Sequence, residues 1–455
     1  MSRARPDVQV VEPLESRTFL SAVPLRDGVR AHLANGSAAL DEYTYFQAFD
    51  AAHGHELWRT NGTTAGTTLV KDINPAVGTT QGYGSFPGSF MVFNRTMLFT
   101  ASESLTGPDG LWRSDGTPAG THKLANVVDQ FGPQGREGWY VFRGELAGLG
   151  SDGLIATNGT AAGTHALVAG EGASSLVATI ERLYWLAGDG HSVQTYDGTT
   201  AATAVLAPPE AQDPQLTASY GRGIVFEYNL INGTGELEHR QTLLAPRERV
   251  VRPLNEQFPN PRDNDELDVD GAKFYSDGQQ RLWRRGRVPA QDVFLHAITP
   301  GSLTRARGAL YFTAGRQLWT SDGTAAGTRL VRDFASFPTG PRDLVGTRNA
   351  LYFVIEESPN TLQPWRSDGT AAGTVRAADV GPHNPPDASV FGLARHGSTI
   401  LVGVRDRLYM LTGIADERRA TRPLGHAGAT DASRSVFSTS PVIAEERERL
   451  SEGLL

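Results

Sequence analysis

Glu56-Leu57-Trp58-Arg59-Thr60-Asn61-Gly62-Thr63-Thr64-Ala65-Gly66-Thr67-Thr68-Leu69-Val70 sets the pattern for most of the chain. The same phrase returns as Leu111-Trp112 into Asp115-Gly116-Thr117 through Thr121, and again at Asn158-Gly159-Thr160 through Thr164. It recurs at Asp322-Gly323-Thr324 through Thr328 and at Asp368-Gly369-Thr370 through Thr374. Asp197-Gly198-Thr199 through Thr203 is a worn copy, with Ala202 where the second glycine belongs. Self-similarity at a fixed period decides architecture before any local propensity does.

Around each signature lies a longer unit. A hydrophobic strand and a tight turn precede a second strand such as Leu310-Tyr311-Phe312 or Leu351-Tyr352-Phe353. The Leu-Trp strand, the Asp-Gly-Thr turn and a closing strand such as Thr68-Leu69-Val70 follow. Second strands begin near Tyr45, Leu98, Leu146, Leu183, Ile224, Lys273, Leu310, Leu351 and Ile400. Their mean spacing of about 44 residues is that of a four-stranded propeller blade. The fifth, sixth and ninth units are degenerate at the signature. The strands are rich in β-branched and aromatic residues and are separated by Gly, Asn and Asp, which indicates antiparallel hairpins. No sustained 3.6-residue period supports a helical solenoid. A lone four-stranded sheet exposes two faces, whereas radial arrangement buries each blade against its neighbours. The fold class is therefore all-β: a β-propeller of four-stranded antiparallel blades, with about nine sequence units and seven to nine blades. The repeat domain is expected over 29–424. A polar, export- or anchoring-type or disordered segment is expected over 1–28, and over 425–455 a C-terminal tail whose run from Ala444 to Leu450 either forms a short charged helix or stays frayed.

Composition narrows the function. The 455 residues are 39% hydrophobic and 20% charged, as in a globular protein that buries a sizeable core. A net charge of −8 lacks the concentrated basic field that phosphate binding requires. No apolar run is long enough for a membrane span. With no cysteine, disulfides, thiolate metal sites and cysteine nucleophiles are all excluded.

The turn residues have structural reasons to be what they are. Asn-Gly and Asp-Gly favour tight hairpin turns, and the first side chain accepts backbone N–H groups. This makes Asn61, Gly62, Asp115, Gly116, Asn158, Gly159, Asp197, Gly198, Asp322, Gly323, Asp368 and Gly369 structural turn residues. The second glycine is expected to relieve a bulge at re-entry into the last strand. Calcium or anion binding at these turns is the sharper alternative, weakened by Asn at 61 and 158. Trp58, Trp112, Trp283, Trp319 and Trp365 recur at one position, for which inter-blade packing and sugar stacking are the two readings. Glu266, Asp268, Asp270 and Asp277 resemble a calcium loop in spacing, although Asp270-Gly271 also aligns with a hairpin turn of other units. No cofactor is otherwise expected. No His-Glu-x-x-His, nucleophile elbow, phosphate loop or paired carboxylate stands out.

The signature resembles the bacterial ELWxxDGT repeat family, carried most closely by Glu56 through Thr63 and continued by Thr68-Leu69-Val70-Lys71-Asp72-Ile73. The resemblance covers roughly residues 29 to 424 and implies an exported or surface protein, without naming an activity. Val11-Glu12-Pro13-Leu14-Glu15-Ser16-Arg17-Thr18-Phe19-Leu20-Ser21-Ala22 is similar to a Leu-Glu-x-Arg-x-Leu-Leu-Ser motif at the N-terminus of planctomycete-type surface proteins, with Phe19 in place of Leu. The expectation is a non-enzymatic extracellular or cell-surface scaffold for an unidentified protein or glycan, with no nucleic-acid partner and no transmembrane segment. The alternative is a propeller enzyme, a polysaccharide hydrolase or lyase, with its site in the central channel.

Overall fold

The computed structural model describes residues 20–412 apart from 34–35, 76–83, 105–108, 128–138, 171, 220–222, 232–236, 245–249, 252–266, 270–271, 278–280, 285–291, 360, 381–389 and 405. These residues belong to the first of the two compact units of the chain, 1–414. The second unit, 415–455, includes the expected C-terminal tail and lies outside the described residues.

The described strands form nine antiparallel sheets, one for each sequence unit, and the protein is a β-propeller. In a regular blade the chain runs through four neighbouring strands in sequence order. Blade 7, for example, uses Leu303–Ala306, Ala309–Ala314, Gln317–Ser321 and Arg329–Asp333. Second and third strands are the most covered, as in Leu310, Phe312 and Leu318, all fully buried. Fourth strands are the most exposed, as in Ala201–Leu206 of blade 4.

Each described apolar cluster joins two consecutive blades. Tyr45, Leu57 and Val70 of blade 1 meet Met97, Phe99 and Trp112 of blade 2, and Ala306, Leu318 and Val331 of blade 7 meet Leu351, Phe353 and Trp365 of blade 8. Burial at roughly 25 cal/mol per Å² of apolar area therefore stabilises the contacts between blades, not the blades singly.

Two blades depart from the regular plan. Blade 1 has its first strand split into Arg30–Ala31 and Ser37–Leu40, both paired with Tyr43–Asp50. Blade 5 pairs only three described strands, Gln212–Ser219, Gly223–Ile231 and Leu237–Leu244. The following pair, Val250–Val251, returns to the first strand of blade 4.

The start of the ring corrects the expected boundary at residue 29. Ser21–Asp27 is a strand, and it pairs antiparallel with Arg407–Thr412 as the fourth strand of blade 9. The Leu20 N–H donates to the Ala377 carbonyl of blade 8 at 2.8 Å. Leu25 is buried among Val29, Ala31, Phe46, Leu401 and Leu408, so it seals blade 9 against blade 1. The two sequence ends of the array thus share one sheet. Leu25→Asp should place an unpaired charge at that seam and destabilise the fold by about 3 kcal/mol or more. Urea denaturation measures this, with exposed Val23→Asp as a near-neutral control.

Candidate functional site

The signature closes the third hairpin of five blades, and its polar side chains form one repeated hydrogen-bond chain. In blade 1 the Gly62 N–H donates to Thr60 Oγ1 at 3.1 Å, and Thr60 and Thr67 hydroxyls meet at 2.7 Å. Thr67 Oγ1 donates to the Thr63 carbonyl at 2.7 Å. A hydroxyl has one proton, so the Thr60 hydroxyl must donate to Thr67. Asn61 Oδ1 accepts both the Thr63 N–H and its hydroxyl, and Thr63 Oγ1 accepts the Gly66 N–H. The same chain runs through Ser114 and Thr121, Thr157 and Thr164, Ser321 and Thr328, and Ser367 and Thr374, each pair at 2.7 Å.

Two expectations about the glycines change. The first glycines have φ between +80° and +92°, but the preceding Asn or Asp is not left-handed, so the turn is an Asx-anchored loop and not a two-residue type I′ turn. Left-handed pairs occur instead in first hairpins, at Asn94-Arg95, Arg143-Gly144 and Arg307-Gly308. The second glycines do not sit at the bulge. That irregularity falls later in the fourth strand, between the partners of Leu57 and Trp58 for example, and turns Val70 inward. A Cβ at Gly66, Gly120, Gly163, Gly327 or Gly373 would lie 1.9–2.2 Å from the folded-over Asn or Asp side chain. Ala202 forbids that arrangement in blade 4. There the loop shortens so that Tyr196 pairs with Ala201, and Asp197 caps Thr199 and Thr200 instead.

Hydrogen bonding also sets the charge state. Thr117 and Thr324 hold the carboxyls of Asp115 and Asp322 below the usual range. At Asp368 burial opposes this, but hydrogen bonds from Thr370 and the nearby Arg307 charge outweigh it. The carboxylates therefore remain ionised at neutral pH.

The turns are also attached to the preceding blade. Lys71 Nζ of blade 1 donates to the Thr121 carbonyl at 2.7 Å and lies 5.8 Å from the Trp112 ring centre. Arg332 of blade 7 donates to the Thr374 carbonyl at 2.6 Å and lies 4.8 Å from the Trp365 ring centre. His296 of blade 6 has its ring centre 4.8 Å from that of Trp319. Lys71, His296 and Arg332 occupy one register position, opposite Leu57, Leu282 and Leu318. Where the next blade has Ile155 in place of Trp, this position is Ala125, opposite Leu111. Trp58, Trp112, Trp319 and Trp365 are thus part of a seam between blades. Trp58, Trp112 and Trp365 are buried, with 2–6% of their surface exposed, which covers the faces a sugar would stack on. Trp319 is half-buried, and so is Trp283, which packs edge-on against Phe294 in its own blade.

Of the acidic stretch, Glu266 and Asp270 lie outside the described residues. Asp268 pairs with Lys273, and Asp277 pairs with Arg281 four residues further along the same strand. At 3.3 Å per residue the two backbone positions are about 13 Å apart along the hairpin. Among the described residues no group of three or more His, Asp or Glu side chains gathers in metal-binding geometry. No helix there is long and apolar enough to cross a membrane.

Two features had no signature in the sequence. One is a buried polar node in blade 1. The carboxylate of fully buried Glu56 accepts the N–H groups of Ile73, Asn74 and Ser85 and the Ser85 hydroxyl. Burial nevertheless raises its pKa. Beside it Gln47 Nε2 donates to His55 Nδ1 at 3.0 Å and His55 stacks on Phe86, while burial and the neighbouring His55 pull His32 down to about 4. The other is a recess of about 210 Å³ between the turns of blades 7 and 8, lined by Arg307, Tyr311, Thr320, Asp322, Arg329 and Asp368.

No protein-family profile matches the chain. No characterised protein matches it in sequence. Among solved structures it is similar to the computationally designed Ika8 protein, at 11% identity and TM-score 0.39, over 86% of this chain and 99% of that one. It is also similar to BamB from Moraxella catarrhalis, at 12% identity and TM-score 0.35, over 72% and 94% of the two chains. A puromycin hydrolase aligns at 14% identity and TM-score 0.37, over 83% of this chain and 58% of the hydrolase. These likenesses are weak, and the propeller assignment rests on the strand pairing itself.

Gly373→Ala should evict the Asp368 carboxylate from its turn and destabilise the protein by roughly 0.5–1.5 kcal/mol, the net worth of an ordinary hydrogen bond. Ala372→Gly should change little. Equilibrium denaturation of both variants checks the assignment, and equal stabilities would contradict it.

Proposed function

We propose that the protein is a non-enzymatic propeller scaffold, exported or displayed at the bacterial surface, that binds a protein or glycan at the end of the ring carrying the signature turns. One observation carries this reading: the repeated polar residues are engaged inside the turns and across blade borders. That wiring makes a rigid rim, while the first-hairpin residues beside it differ from blade to blade, as in Asp41-Glu42, Asn94-Arg95, Arg143-Gly144 and Arg348-Asn349. In an antiparallel four-stranded blade the first and third connections lie at the same end. The signature turns and the first hairpins therefore share one surface, as the contact of Gly62 with His396 and of Gly369 with Tyr311 requires. A rigid frame with variable loops limits the entropy lost on binding. The resemblance to ELWxxDGT proteins supports the extracellular location.

The test is retention without turnover. The purified protein, presented with cell-wall polysaccharides and purified surface proteins, should retain a ligand and release it intact. New reducing ends or shortened chains would contradict the scaffold reading in favour of a hydrolase or lyase.

A further inference from the structure

The space beneath the signature turn is filled at most described blade borders. Between blades 1 and 2 the Arg59 guanidinium lies 4.2 Å from the Tyr43 ring centre and within 2.6 Å of where a Cβ on Gly116 would stand. Between blades 6 and 7 Arg284 occupies the matching place, 3.0 Å from a Cβ on Gly323. Between blades 3 and 4 Arg143 reaches in from the first hairpin and donates to the Asp197 carbonyl at 2.6 Å. Between blades 9 and 1 His396 and Met410 fill it, each 3.1 Å from a Cβ on Gly62.

The border of blades 7 and 8 differs at one residue. Arg59, Arg113, Arg284 and Arg366 each follow directly after the tryptophan of the signature, and blade 7 has Thr320 there. The short Thr320 side chain turns back to the Leu310 carbonyl at 2.9 Å. Arg307 donates to the Asn349 carbonyl at 2.6 Å, so Tyr311 alone approaches the turn from blade 7, its hydroxyl 2.6 Å from a Cβ on Gly369, where Tyr45 and Arg59 together approach Gly116. The recess of about 210 Å³ is the result.

We infer that this recess binds one ring of a neutral polyhydroxylated ligand, a hexose residue of a neutral glycan; the inference rests on the scaffold reading above. Its lining offers two guanidinium groups and two carboxylates, together with Tyr311 and Thr320. A lone anion meets Asp322 and Asp368, and a lone cation meets Arg307 and Arg329. An ammonium finds no concentrated negative charge, because the guanidinium groups of Arg307 and Arg329 line the same recess as the two carboxylates. Each carboxylate has Oδ1 engaged by its own threonine, which fixes its orientation and leaves Oδ2 as an acceptor for a ligand hydroxyl. Alternating fixed donors and acceptors on a neutral background suit vicinal hydroxyls. The volume lies below the roughly 300–1,000 Å³ of drug-sized sites, so it takes a single ring.

Isothermal titration calorimetry with cellotetraose, mannotetraose and chitotetraose tests this, with tetragalacturonate and the zwitterionic dipeptide Ala-Ala as comparison ligands. At least one neutral tetrasaccharide should bind the wild type. Thr320→Arg, which installs the side chain that other blades carry at this place, should weaken that binding at least tenfold while the protein still unfolds in one cooperative transition. Arg329→Ala at the mouth should weaken it at least threefold. Equal binding by wild type and Thr320→Arg, binding of tetragalacturonate or Ala-Ala alone, or no neutral sugar bound would each overturn the proposal. If any ligand is still retained by the ring in those cases, the scaffold reading survives; if neither glycan nor surface protein is retained, that reading fails as well.

Discussion

The seam between one blade's outermost strand and the next blade's signature turn is the constraint on which the ring depends. A four-stranded sheet cannot bury both of its faces alone, so each blade needs a neighbour at a fixed angle and register. Apolar packing supplies the attraction but little directional specificity. Lys71 and Arg332 supply direction, since each lies over the next blade's tryptophan and ends on the carbonyl of that blade's last signature threonine. A cation over an indole face contributes about 0.5–2 kcal/mol, depending on desolvation. The hydroxyl chain makes that carbonyl a fixed target, because the threonine hydroxyl beside it is held from both sides. Turn and seam are therefore one device, and the identity of the tryptophan follows from it.

Much of the scaffold was legible in the sequence because its devices are local. Second strands begin within two residues of the positions read from the repeat, from Tyr43 and Thr96 to Leu351 and Thr399. The Asp-Gly-Thr phrase marked the right connection, since turn chemistry acts within seven residues. The role of the second glycine was not legible, because it depends on where the Asn61 side chain folds, and a one-dimensional pattern does not contain that. Ring closure was hidden for a different reason. Ser21–Asp27 has no signature and pairs with strand Arg407–Thr412 at the far end of the array, a contact that no local periodicity encodes.

The candidate site was less legible still. Thr320 carries no motif, and its significance is that it is short where Arg59 and Arg284 are long. Alignment of the units contained that signal, but only the structure shows that the arginine side chain occupies the space below the neighbouring turn. The residues that looked most like ligand contacts, the recurring tryptophans, are largely held inside the seams. Function in such a ring falls to departures from the repeat, where one blade omits a part that its neighbours use to fill a gap.

The central claim, that turn and seam act as one unit, is measured most directly by a double-mutant cycle between Arg332→Met and Ser367→Ala in equilibrium denaturation. Arg332 bonds the Thr374 carbonyl, and Ser367 bonds the Thr374 hydroxyl at 2.7 Å, so the two residues never touch the same atom. The account predicts a coupling free energy of at least about 0.5 kcal/mol, while Arg332→Met paired with the distant Ser114→Ala is additive. Additivity within about 0.3 kcal/mol for the first pair would contradict it.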